Sequence, residues 1–162
     1  MDKAEAEQIA AEFTDLSGVG CEVRFLKRGK THKASTLKEN QEGVYVFLND
    51  WYCLKVGKVG SKSQARWGSQ HYLLDEGTRS SLPKSFMKDE EKFKKAFNNT
   101  QDIRTICKET IREFVENNTD RVEFVLSDQK DHRAVNLLEA YVQFKLNPVY
   151  EGKTPPQGLQ PK

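Results

Sequence analysis

A tyrosine and a lysine lie on neighbouring segments with strong β-strand character, Tyr45 within 43–48 and Lys55 within 52–59. A free tyrosine has a pKa of about 10, so its phenol acts as a base near neutral pH only where a cation favours the phenolate. Lys55 could supply that cation, with Lys58 at the strand end as a second source. The same residues could equally form an ordinary cross-strand pair of a sheet.

The turn between the two segments decides whether this tyrosine and this lysine meet. A two-residue loop at 49–50 would place Tyr45 opposite Leu54 and turn Lys55 to the other face. A three-residue loop at 49–51 would place Tyr45 directly opposite Lys55. The second register collects Val44, Val46, Leu48, Tyr52, Leu54 and Val56 on one apolar face, and Tyr45, Phe47, Cys53, Lys55 and Gly57 on a mixed face. We therefore predict the three-residue loop.

Glu139 is a carboxylate on an apolar stripe, because Val135, Val142 and Leu146 share its face of the last predicted helix. A carboxylate in such a place needs a partner. That partner is either a base, with Arg66 or Lys55 as the candidates, or a hard cation such as Mg²⁺. The residue by itself does not distinguish a structural ion pair from a metal ligand.

Arg66 falls in the first half of the helix that follows the hairpin, four residues after Lys62. A guanidinium near the start of a helix is a good bidentate clamp for a phosphate. Taken singly, an arginine at this place is also a common surface residue.

The elements that must position these side chains follow from hydrophobic periodicity and from capping and turn residues. The final helix should stop before Pro148, since a residue that precedes proline disfavours the helical conformation. The predicted elements, in order, are a helix over 2–14, a strand over 21–26, hairpin strands over 43–48 and 52–59, a helix over 61–72, a helix opening at Pro83, a helix capped by Asp102, a strand over 122–126 and a helix from about 131 to 147. This order predicts an α+β domain.

The composition of the 162 residues fits one globular domain rather than a disordered chain. The net charge is only +2, but residues 21–72 hold ten lysines and arginines against four acids, the kind of basic segment that contacts phosphates. Three dispersed cysteines form no zinc or disulfide pattern, and the first residues lack the apolar run of a secretion signal. We expect a cytoplasmic protein without a membrane segment.

Taken together, four elements in order resemble the GIY-YIG nuclease superfamily. Gly43-Val44-Tyr45 stands for the first tripeptide, and Lys55-Val56-Gly57 stands for the second. Arg66 on the next helix and Glu139 on a late helix complete the set, and the resemblance covers about 43–152. Lys55 replaces the usual tyrosine, as in some restriction-enzyme-like members, and Glu151 stands where the family's closing asparagine often lies, a role that Asn147 could take.

The resemblance implies a small antiparallel three-stranded β-sheet flanked by α-helices, and hydrolysis of double-stranded DNA with one divalent ion, Mg²⁺ or Mn²⁺. Tyr45 would be the general base, helped by Lys55 and Lys58. Arg66 would stabilise charge on the scissile phosphate, and Glu139 would hold the metal. We assign three residues as weaker DNA contacts, namely Lys62, Gln64 and His71.

These expectations divide the chain into an N-terminal extension (1–42, a helix plus a short strand), the nuclease-like domain (43–152, with 73–100 as a helical insertion) and a flexible tail (153–162). Two alternatives to a nuclease remain. One is a nucleic-acid-binding module that kept the fold without the chemistry. The other is a protein-interaction domain whose contact surface is the segment carrying Phe86, Phe93 and Phe97, although these rings could simply be the core of the insertion.

Overall fold

A computed structural model describes residues 1–30, 32–60, 64–74, 81–126 and 132–150. The helices are α1 (Lys3–Ser17), α2 (Gln64–Gly68), α3 (Leu82–Lys88), α4 (Glu90–Ala96), α5 (Ile111–Asn118) and α6 (Arg133–Leu146), and the strands are β1 (Cys21–Leu26), β2 (Glu42–Leu48), β3 (Cys53–Val59) and β4 (Asp120–Leu126). Short 3-10 turns cover Gln70–Tyr72 and Ile103–Thr105. Within the described ranges, no helix has the length and apolar character needed to cross a bilayer.

The α+β prediction is confirmed, but the sheet has four antiparallel strands in the order β1-β4-β2-β3, not three. The additional strand is β1, which pairs with β4 along its whole length from Cys21 to Leu26. The predicted bounds of this strand were right, but the prediction assigned it to an N-terminal extension and therefore did not count it in the sheet. The helix and strand within residues 1–42 thus contribute to the same sheet and core as the rest of the chain.

The hairpin register differs from the prediction by one step. Tyr45 pairs with Gly57 and Lys55 with Phe47, so the partner on β3 moves by two residues: the four-residue connection accounts for one, and a bulge beside Phe47 and Leu48 accounts for the other. Asn49 closes the connection as an Asx turn, its side-chain oxygen accepting from the backbone N–H groups of Trp51 (3.0 Å) and Tyr52 (2.8 Å). Since the shift is two residues, Tyr45 and Lys55 still share a face.

A bulge beside Phe47 and Leu48 alters the predicted faces further along the hairpin. Leu54 joins the cluster of Tyr45 and Phe47, and Cys53 joins the cluster on the opposite face. The prediction had these two residues the other way round, since an unbroken alternation was assumed.

Two apolar clusters lie on the two faces of the sheet. We call the face that carries Tyr45, Phe47 and Gly57 the tyrosine face; α2 to α5 cover it. We call the other, which carries Val44 and Val46, the α1/α6 face, since Phe13 of α1 and Leu138 of α6 pack there. The predicted stripe of α1, Ile9, Ala10 and Phe13, is buried as expected.

Several helix bounds correct the sequence prediction. Asp102 caps only the 3-10 turn, and α5 begins at Ile111. The Thr110 hydroxyl donates to the carbonyl of Thr105 (3.0 Å) and accepts from the Cys107 N–H (2.9 Å), bonds that compete with a continuous helix. The helix predicted over 61–72 is described as α2 and a 3-10 turn, with 61–63 outside the described residues.

Two predicted boundaries hold. Ser81 caps α3, with Pro83 in its first turn. Helix α6 ends before Pro148, with Asn147 in the left-handed conformation (φ 44°). Beyond it, the backbone N–H groups of Val149 and Tyr150 donate to the carbonyls of Cys53 and Leu54 on the outer edge of β3, each at 2.9 Å.

Phe86, Phe93 and Phe97 pack on one another and on Phe114 inside the tyrosine-face cluster. All three side chains are buried. The alternative that uses them as an exposed contact surface therefore loses its basis.

Candidate active site

The floor of the candidate site consists of two rows of cross-strand partners. One row runs Arg24–Glu123–Tyr45–Gly57 across β1, β4, β2 and β3. The next row runs Leu26–Arg121–Phe47–Lys55. Because directly paired residues project to the same side of a sheet, these side chains share the tyrosine face. The register therefore brings charged residues from β1, β3 and β4 around Tyr45.

Gly57 leaves room for the tyrosine ring. A Cβ atom at this position would lie 2.6 Å from Cζ of Tyr45, closer than non-bonded atoms approach. The phenol thus lies across the backbone of β3 at Gly57, the residue before Lys58. This close approach explains why a glycine ends the second tripeptide.

Helix α2 brings Arg66 to the phenol. The Nε–H group of Arg66 donates to the Tyr45 hydroxyl at 3.3 Å. Trp67, the next residue, is buried and lies edge-on to the Tyr45 ring, with 6.3 Å between the ring centroids. The structure thus brings together Tyr45 and Arg66, which the sequence had linked only by resemblance.

His71 packs directly on Tyr45, with 4.4 Å between the ring centroids. Its Nδ1 accepts from the backbone N–H of Leu82 at 3.1 Å, so the neutral ring carries its proton on Nε2. Burial, followed by the positive charges of Arg121, Lys55 and Arg66, holds the pKa of His71 well below its usual value. The buried Nε2 atom has no hydrogen-bond partner among the residues that the structure describes. His71 is therefore a neutral donor beside the phenol.

Glu139 reaches the sheet from α6, which packs on the α1/α6 face. Its Oε1 accepts from the backbone N–H of Lys58 at 3.0 Å, and its Oε2 pairs with the Lys58 ammonium. The expected partners of a structural ion pair were Arg66 or Lys55, and the observed partner is Lys58. The carboxylate thus binds the residue that follows Gly57, at the outer strand of the sheet.

The side chains around Glu139 can be compared with those that usually bind a divalent ion. Within the described ranges, no group of three or more His, Cys, Asp or Glu side chains could hold a metal. Mg²⁺ is often bound by one or two carboxylates together with water and substrate phosphate. Glu139 fits that mode, with its side chain 19% exposed, provided that the Lys58 ammonium gives way. The residues therefore fit a metal that binds together with phosphate.

Of the three weaker DNA contacts, the two that are described, Gln64 and His71, do not share a surface. Lys62 lies outside the described residues. Gln64 is exposed and its side-chain amide donates to the Leu37 carbonyl at 3.1 Å. His71 is fully buried, a place that suits the interior of the site better than a groove-facing surface.

Sequence reasoning missed Arg121 and Glu123, both fully buried on the tyrosine face. The sequence pattern that could have revealed them is the alternation of charged and apolar residues, with Val122 and Phe124 as the apolar positions. Alternation of this kind puts the charges together on one face of a strand. The prediction treated 122–126 as uniformly buried and began the strand after Arg121.

Comparisons with protein-family models, with curated protein sequences and with solved structures found no match to this chain.

Proposed function

We propose that this protein is a metal-dependent endonuclease that hydrolyses DNA phosphodiester bonds. The proposal depends on one observation above all: Arg66 donates to the Tyr45 hydroxyl directly over Gly57. A potential base and a phosphate clamp thus meet at one point, and Glu139 binds the next residue, Lys58. The order of these residues along the chain is that of the GIY-YIG nucleases.

The phosphate enters where Arg66 now covers the phenol. Tyr45 is fully buried, and Arg66 is partly exposed above it. A phosphate oxygen can replace the phenol as the acceptor of the guanidinium, since planar N–H groups match phosphate oxygens. Lys55 adds positive charge from the floor of the site, and the Nε2–H group of His71 supplies a neutral donor.

Tyr45 in its phenolate form then takes a proton from the attacking water, its own phenolic proton having passed to solvent beforehand. Arg66, Arg121 and Lys55 place positive charge around the phenol, which offsets part of the cost of ionising a fully buried tyrosine. Arg66 stabilises the negative charge that grows on the phosphate in the transition state. Glu139 would hold the divalent ion, which would supply Lewis-acid stabilisation of the leaving group. Lys58, displaced from Glu139, is free to contact the DNA backbone.

A binding module without cleavage is the second candidate. It is favoured by one observation, that both oxygens of Glu139 are engaged by Lys58. If that ion pair persists when DNA binds, no carboxylate is available for the metal. Such a protein would bind DNA in a salt-dependent way and leave it intact.

The test compares wild type, Glu139→Ala and Glu113→Ala on supercoiled plasmid at low salt with Mg²⁺ or Mn²⁺. Glu113 is an exposed acid on α5 and serves as the matched control. We expect wild type and the control to nick the plasmid, and Glu139→Ala to be slower by at least about 100-fold, the size of a lost electrostatic contribution. The free energy of unfolding should change by less than about 1 kcal/mol, since the Lys58–Glu139 pair is partly exposed.

Equal nicking by wild type and Glu139→Ala would reject the metal role of Glu139. Absence of nicking by every variant, together with a DNA gel shift that weakens with salt, would favour the binding module. Absence of both would leave neither nucleic-acid proposal standing.

A further inference from the structure

Arg121 and Glu123 form a buried ion pair beneath the candidate site. Both side chains are fully buried, and Arg121 Nε lies 3.0 Å from Glu123 Oε1, an ion pair without hydrogen-bond geometry. Glu123 also accepts from the backbone N–H of Ser35 at 3.1 Å. Removing two charges from water is costly, and apolar residues of similar size often stabilise a fold equally well. The pair therefore needs a reason other than stability.

The two terminal nitrogens of Arg121 bind the elements that cover the tyrosine face. Its Nη2 donates to the Trp67 carbonyl at 2.8 Å, and its Nη1 donates to the Tyr72 hydroxyl at 3.2 Å. Its guanidinium also lies over the aromatic rings of Trp67 (5.0 Å to the centroid) and Tyr45 (5.7 Å). One side chain of β4 thus connects α2, the following 3-10 turn and the tyrosine.

Trp67 is the residue after Arg66, so the bond to its carbonyl fixes the place from which Arg66 reaches the phenol. We propose that Arg121, oriented by Glu123, is a positioning residue that holds α2 so that Arg66 meets Tyr45. This inference rests on the proposed nuclease function for its catalytic consequence. The planar guanidinium is suited to the task because it holds several acceptors in fixed directions at once, which a lysine ammonium does not.

The electrostatic effect of Arg121 on His71 agrees with a position of the Arg121 guanidinium close to the candidate site. Burial and then the charge of Arg121, ahead of Lys55 and Arg66, depress the pKa of His71. The Arg121 charge therefore acts within the site as well as beneath it.

The test uses two variants with different chemistry. Arg121→Met with Glu123→Leu replaces both charges by apolar groups, the kind of exchange that often preserves a fold. Arg121→Lys keeps the charge and loses the planar fork. We expect the double variant to lower kcat by about 100-fold, the effect of a misplacement of about 1 Å, with KM for plasmid within about threefold of wild type. The kcat of Arg121→Lys should lie between those of wild type and the double variant, about 10-fold below wild type.

A second readout does not depend on cleavage. Trp51 and Trp67 are the two tryptophans of the chain, so a Trp51→Phe background makes the emission report on Trp67. We expect both variants to shift that emission, because the guanidinium leaves the face of the indole.

The outcomes separate the two proposals. Absence of cleavage by wild type would reject the nuclease, and the emission would still show whether Arg121 holds α2. A folded double variant with wild-type kcat would overturn the positioning role, as would unchanged Trp67 emission in both variants. If the double variant does not fold, Arg121→Lys decides: wild-type kcat with a normal melting temperature would overturn the role.

Discussion

The two faces of the sheet differ in what they bury. The α1/α6 face packs apolar side chains such as Phe13, Val44 and Leu138, and at its edge the buried carboxylate of Glu42 pairs with His132. The tyrosine face buries an equally large apolar cluster together with polar and charged groups, namely His32, Lys55, His71, Arg121 and Glu123. Burial of a polar group costs free energy unless partners compensate for it. The difference indicates that the α1/α6 face mainly stabilises the fold, whereas the tyrosine face holds most groups of the proposed chemistry, with Glu139 of α6 as the exception. Each prediction below tests that division.

The largest expected effect is on cleavage. Tyr45→Phe removes the proposed base and should lower the rate of plasmid nicking by about 10² to 10⁴-fold, the usual contribution of a general base. Its free energy of unfolding should fall by only about 1 kcal/mol, because one partly exposed hydrogen bond is lost. Single-turnover nicking and urea unfolding measure the two quantities.

Tyr52→Phe is the matched control, since Tyr52 belongs to the loop of the same hairpin and is partly exposed. Full retention of nicking by Tyr45→Phe would remove the phenol from the mechanism and weaken the contrast between the faces.

The opposite pattern is expected on the α1/α6 face. Phe13→Ala empties a fully buried site and should destabilise the protein by about 3–5 kcal/mol in urea unfolding. Nicking per folded molecule should remain near wild type at a temperature where the variant is folded. Leu16→Ala on the same helix, 63% exposed, should change stability by less than about 0.5 kcal/mol. A loss of activity in folded Phe13→Ala would show that the two faces are coupled.

A smaller effect is expected at the contact between Gly57 and Tyr45. Gly57→Ala places a Cβ atom against the phenol, so the ring must move and nicking should fall by about 100-fold. Gly68→Ala is the control, because a Cβ there meets nothing within 4 Å. Equal activity of the two variants would mean that the position of the ring does not matter.

The smallest predicted effect concerns pH. Burial lowers the pKa of His32 from 6.5 to about 4, with its Nδ1 held at the Thr119 carbonyl and its Nε2 at the Tyr72 hydroxyl. The unfolded chain therefore binds a proton between pH 6.5 and 4 that the folded protein does not. Stability is highest above that window and decreases as pH falls through it, by about 2 kcal/mol at pH 5 from this residue. The burial of His71 acts in the same direction.

Urea unfolding at pH 7.5 and pH 5 measures this dependence. His32→Gln, which does not titrate, should lose part of it, whereas a substitution at the exposed His132 should leave most of it in place. An unchanged pH dependence in His32→Gln would place the titrating groups elsewhere.

The sequence predicted the strands better than their partners. The bounds of β1 were correct because its alternation of side chains is a local pattern. The pairing of Tyr45 with Gly57 was not predictable in the same way, since it depends on the Asx turn at Asn49 and on a bulge. The place of β1 at the end of the sheet depends on contacts with β4, about 100 residues away, which no local pattern records.

The candidate site follows the same rule. Tyr45, Lys55, Arg66 and Glu139 were selected by their types and their order and stay a prediction as site residues, and the structure brings Arg66 to Tyr45. The partner of Glu139 was wrong because the packing of α6 decides which lysine it meets. Arg121 was missed because a buried arginine is rarely expected in the middle of a sheet.

The bonds from Val149 and Tyr150 to the outer edge of β3 have a consequence for the behaviour of the protein at high concentration. An open strand edge is a template on which another molecule can add a strand, the first step toward fibrils and amorphous aggregates. Here the chain occupies part of that template with its own backbone, and Glu139 accepts a further outward N–H group. The segment after α6 therefore leaves fewer backbone groups on the β3 edge to which another copy of the molecule could pair.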